Sequence, residues 1–109
     1  MNQVEQSVTE YVDEVWEDAV ADIERLVSYP SVAVSANAEP DAPFGRPVRD
    51  ALDCALGIAQ KLGYQTSDDG GYVGIADIPG RGDKQLATIC HVDVVPAGPG
   101  WNTDPFAME

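Results

Sequence analysis

Ten apolar residues, Val4, Val8, Tyr11, Val12, Val15, Trp16, Ala19, Ile23, Leu26 and Val27, recur at helical spacings through the first quarter of the chain. That period predicts one long amphipathic helix, because only a repeat near 3.6 residues brings all ten to one side. The helix must end before Pro30, since the residue preceding a proline is pushed out of the helical region. Tyr11 and Trp16 fall on the apolar side and are expected to face a core. Eight acidic residues and no Lys or Arg lie between Met1 and Glu24, so the opposite face is acidic and solvated.

The segment "SYPSVAVSANAEPDAPFG" carries three prolines and little periodicity. It reads as a connection running over the surface. A second helix is expected from Arg46 to Leu62, with Pro47 in its first turn and Gly63 at the left-handed position after its end. Two strands are expected next, Tyr72 to Ile78 and Gln85 to Cys90, joined by the turn "PGRGDK". The continuously apolar "LATIC" suits a central strand covered on both faces. "DDGG", Asp68 to Gly71, reads as a turn. Two helices followed by buried sheet strands give an α/β class with layered packing, and the 109 residues read as one partial domain, cut rather than finished at "PAGPGWNTDPFAME".

Charge narrows the function classes. The net charge is −13, from 19 acidic and 6 basic residues. Nucleic acid and anionic membrane both demand a basic surface, so neither is an expected partner. "MNQVEQSVTEYV" has no basic or apolar leader region, and no apolar run approaches the roughly 20 residues that span a bilayer. Cys54 and Cys90 share no metal-type spacing and are expected to be reduced and buried, as in a cytoplasmic protein.

The chemistry concentrates at "LATICHVDVVPAG". His91 is the single histidine of the chain, placed where an apolar strand gives way to loop. In a strand, residues two apart share a face, so Asp93 can stand beside it. A metal-binding imidazole commonly donates its second ring N–H to such a carboxylate. One imidazole cannot hold a catalytic zinc, which takes three protein ligands, and the other nearby acids, Asp68, Asp69 and Asp104, have no metal spacing. Spacing alone therefore leaves open whether His91 is a ligand or an ordinary hydrogen-bonded rim residue.

The longer string "HVDVVPAGPGWNTDPF", His91 to Phe106, resembles the first metal-site motif of the zinc-dependent exopeptidases and deacylases. That family includes PepV-type dipeptidases, carnosinase, acetylornithine deacetylase, succinyl-diaminopimelate desuccinylase and glutamate carboxypeptidases. The His-x-Asp-Val-Val-Pro core, Gly100-Trp101 and the closing Asp-Pro-Phe carry the likeness, with "LVSYPSV", Leu26 to Val32, in the expected order upstream. "PAGPGW" is most similar to the dipeptidase branch. The resemblance implies the N-terminal part of an α/β/α catalytic domain in which His91 is a ligand of one of two zinc ions. Asp93 would be the catalytic carboxylate that orients it, and Trp101 and "DPF" would pack the loop. The remaining ligands and the general base would lie in a longer chain.

The implied activity is hydrolysis of dipeptides by a dinuclear zinc-bound water, with this segment inactive alone. Deacylation of N-acyl amino acids is the alternative within the family. A non-catalytic interaction module, self-associating through its truncated sheet, is the alternative outside it.

Overall fold

The computed structural model describes all 109 residues. Helix α1, Gln3–Val27, is followed by a single 3₁₀ turn at Ser35–Asn37, helix α2, Arg46–Lys61, and strands β1, Gln65–Asp69, and β2, Val73–Asp77. β1 and β2 form an antiparallel hairpin in which Ser67 opposes Ile75. The content is α/β.

Both helices begin and end as the sequence dictates. Asn2 caps α1 through a reciprocal box: its Oδ1 accepts the Glu5 N–H at 2.9 Å, and Glu5 Oε2 accepts the Asn2 N–H at 2.8 Å. At the far end of α2, Gly63 takes φ 94°. The Gly63 N–H then reaches the Gln60 carbonyl at 2.9 Å and the Tyr64 N–H the Ala59 carbonyl at 3.0 Å. This Schellman closure satisfies carbonyls that the last turn would leave bare.

The core is small. Val48, Ala51 and Cys54 of α2 are buried, with Ala42 and Ser31 supplied by the connection. β2 lies against α2 so closely that a Cβ on Gly74 would stand 2.7 Å from a methyl of Leu52. Phe44 meets the Tyr72 ring edge to face at 5.5 Å, tying the connection to the hairpin. Arg49 joins the same corner, pairing with Asp53 at 2.8 Å and with Asp68.

Four expectations are corrected. Gln85–Cys90 is not a strand, and Leu86 and Ile89 are 94% and 98% exposed. A central strand needs ladder partners on both edges, and here β2 takes β1 instead, through the short Gly70-Gly71-Tyr72 loop rather than the longer "PGRGDK". Asp68 and Asp69 accordingly belong to β1, and the turn is confined to the residues after them. Cys90 is exposed while Cys54 is buried, and both are free thiols. Tyr11 and Trp16 are exposed, because α1 contains no buried residue and is held to α2 near its end, where Lys61 Nζ grips the Asp22 carboxylate at 2.8 and 2.9 Å.

The hairpin corner carries an acid sensitivity. The Gly71 N–H donates to Asp68 Oδ1 at 2.7 Å, and that bond, aided by Arg49, holds the Asp68 carboxyl below its ordinary value of 3.8. Asp41 is lowered likewise by its hydrogen bond from Arg46. A carboxyl depressed in the folded state stabilises fully above 3.8, and that contribution drains as pH falls below 3.8. Hairpin amide protection is therefore expected to weaken across that acid range. In Asp68→Asn it should be weaker at neutral pH, with the gap from the unsubstituted chain closing in acid. A constant gap from pH 7 to about 2 would contradict this linkage.

Candidate functional site

His91 and Asp93 both line a groove of about 480 Å³. Leu26 and Val27 at the end of α1, Tyr29 just beyond it, and Pro96, Trp101 and Phe106 of the later loop line it. That loop folds on itself. Trp101 Nε1 donates to the Ala97 carbonyl at 2.9 Å, and the Phe106 N–H donates to Asp104 Oδ1 at 2.9 Å, an Asx turn. Gly98 and Gly100 take φ 70° and 95°, which a side chain would resist.

His91 Nδ1 lies 2.9 Å from the Asp93 carbonyl oxygen and 3.4 Å from Asp93 Oδ1. A carbonyl oxygen only accepts, so this contact assigns the ring proton to Nδ1. Nε2 is then left with the lone pair, the state a metal or a proton donor requires. The side chains are 82% and 53% exposed, so the imidazole is presented rather than packed away. Where the sequence led to the expectation of a carboxylate orienting the ring, the nearer partner is the Asp93 main-chain carbonyl, with the carboxylate at 3.4 Å.

No strand carries this pair. A parallel bridge between Val32 and Val94 is the ladder contact nearby, and it places the loop against the residues that follow α1. Ser31, 1% exposed, lies at that junction. Its hydroxyl donates to the Val92 carbonyl at 2.9 Å, and its own carbonyl accepts the Val94 N–H at 3.0 Å. Nothing in the residue type marked Ser31; its place beside Pro30, in a segment that must leave the helix, was the available signal.

One imidazole with a bare Nε2 and one carboxylate behind it suit a single ligand and its support. No group of three or more His, Cys, Asp or Glu stands close enough to hold a metal, whereas a catalytic zinc takes three protein ligands. These residues do not by themselves complete such a centre. In calorimetry the 109-residue chain is expected to bind zinc no more tightly than a surface histidine does. Tight one-to-one binding that His91→Ala removes would show a complete site after all.

No family model matches the chain. Among curated proteins, a provisionally named dipeptidase of Staphylococcus haemolyticus is 41% identical over 97 residues, 89% of this chain and 20% of that protein. A provisionally named dipeptidase of Bacillus subtilis is 38% identical over 93 residues, 85% of this chain and 20% of that protein. The Beta-Ala-Xaa dipeptidase of Lactobacillus delbrueckii subsp. lactis is 40% identical over 97 residues, 88% of this chain and 20% of that protein. The chain spans about a fifth of the length of these relatives. Identity near 40% over nearly the whole chain identifies it as a homologue of a fifth-length segment of proteins named as dipeptidases.

Proposed function

We propose that the protein carrying this sequence is a metal-dependent dipeptidase and that these residues supply His91 as one metal ligand. The observation that carries the reading is the His91 geometry: Nδ1 meets the Asp93 carbonyl at 2.9 Å, which leaves the lone pair on Nε2, and the residue lines a groove. The dipeptidase names of the relatives support the substrate class, a dipeptide. Two zinc ions in the complete protein would supply Lewis acidity to the scissile carbonyl and to the attacking water. Asp93 holds the ring in the Nδ1–H form, which keeps the lone pair on Nε2. Leu26, Val27, Trp101 and Phe106 give the groove beside His91 an apolar lining. No Lys or Arg of this chain lines the groove, so recognition of a substrate carboxylate is assigned to other parts of the protein. The two free thiols suit a reducing, cytoplasmic setting.

The test is hydrolysis of a dipeptide panel, β-alanyl dipeptides included, by the protein that carries this sequence, with zinc content measured in parallel. Turnover that chelation removes and zinc restores is the expected result. Turnover of N-acyl amino acids in place of dipeptides would move the assignment to deacylation. Full activity without any divalent metal would end the metallopeptidase reading. The 109-residue chain alone is expected to be inactive.

A further inference from the structure

We infer that Ser31 is a positioning residue for His91, acting through the backbone of Asp93. The inference rests on the reading of His91 as the group that presents a bare Nε2. Asp93 lies between two peptide groups, and Ser31 holds both. The carbonyl of Val92, in the peptide before Asp93, accepts the Ser31 hydroxyl at 2.9 Å. The N–H of Val94, in the peptide after Asp93, donates to the Ser31 carbonyl at 3.0 Å. With both neighbouring peptides fixed, the Asp93 carbonyl is fixed too, and that carbonyl accepts the His91 Nδ1–H at 2.9 Å.

The clamp is itself held rigidly. Ser31 is 1% exposed, and its own N–H reaches the Tyr29 carbonyl at 2.8 Å while the Val32 N–H reaches the Pro30 carbonyl at 2.8 Å. Two such tight bonds in succession, in a segment whose Pro30 has one permitted φ, leave the hydroxyl little freedom. A buried hydroxyl must find a partner, and the one it finds is the peptide joining Val92 to Asp93. The side chain therefore reaches 61 positions along the chain to set the tautomer of a ring it does not touch. Free neutral imidazoles favour the proton on Nε2, so the Nδ1–H form here needs this support.

The test uses the fact that His91 is the single histidine. Long-range proton–nitrogen spectra of the histidine-labelled chain, recorded about two pH units above an ordinary imidazole pKa of ~6.5, read the tautomer without metal or substrate. The unsubstituted chain is expected to show chiefly Nδ1–H. Ser31→Ala should shift the population toward Nε2–H, and Ser31→Thr, which keeps the hydroxyl, should restore it, with the hairpin amide signals unchanged in both.

An unshifted tautomer in Ser31→Ala would overturn the inference. Should that variant lose its fold, amide exchange in the unsubstituted chain decides. Val94 must exchange at least about tenfold more slowly than Val95, as a hydrogen-bonded amide does, and equal rates would overturn the clamp. The spectra require no turnover, so a tautomer that responds to Ser31, together with no dipeptide hydrolysis by the longer protein that carries this sequence, would refute the proposed function and leave the positioning role standing.

Discussion

His91→Ala, made in the protein that carries this sequence, is expected to lower dipeptide hydrolysis by about a thousandfold, with loss of bound zinc. Lewis-acid stabilisation by a metal is worth several kcal/mol, and about 4 kcal/mol corresponds to a factor near a thousand in rate. The structure gives the residue no other task that could produce such a loss. Its ring is 82% exposed, so truncation removes almost no packing and the fold should survive. Circular dichroism and thermal unfolding should match the unsubstituted protein. Asp93→Ala is expected to cost only about 10- to 100-fold, the range for a group that orients a ligand, since its main-chain carbonyl at 2.9 Å remains. An Asp93 effect larger than the His91 effect would reverse the assigned roles.

The second large effect concerns stability. Gly71→Ala is expected to destabilise the hairpin corner by about 3 kcal/mol. Its φ of 79° lies in the left-handed region, where a side chain costs about 1–3 kcal/mol. An added Cβ would also run into the Asp41 carbonyl oxygen and stand 2.9 Å from Pro43 Cδ. Backbone cannot step aside as a side-chain tip can, so strain of overpacking adds to the conformational cost. Gly70 supplies the control. Its φ is 62°, but a Cβ there would meet only the Tyr72 ring at 3.6 Å. Gly70→Ala should therefore cost about 1 kcal/mol. Equal losses for the two in urea unfolding would show that φ alone matters and that the close approach of Asp41 does not.

These two glycines also show why the hairpin was only half legible. β2 announced itself through Val73 and Ile75, but β1 is "QTSDD", without one apolar residue. It is a strand because a two-glycine loop returns the chain, Asp68 grips the Gly71 N–H and Arg49 pairs with Asp68. None of that is periodicity. The opposite error occurred at Leu86–Cys90, where a strongly apolar run invited a strand. Apolar character favours a buried strand but does not provide its ladder partners, and none is present. Helices α1 and α2 were legible nearly to the residue because caps and spacing are local. The burial of Tyr11 and Trp16 was not, since periodicity defines a face without naming what covers it. At the candidate site, His91 and Asp93 could be found from their types. Ser31 could not, because its role depends on a contact across 61 positions.

The open shape has a consequence for how the chain responds to denaturant. Its radius of gyration is 16.8 Å, against about 13 Å for a compact chain of this length. It exposes 8603 Å², where about 5,800 Å² is usual for 11.6 kDa. Folding therefore conceals only about half of the unfolded chain's surface, and the urea slope of the free-energy change scales with that concealed surface. The 109-residue chain should unfold over a broad span of urea with a shallow slope and a small heat-capacity change. In such a molecule the far end of α1 can fray while the α2 corner persists, so cooperativity itself is graded along its length.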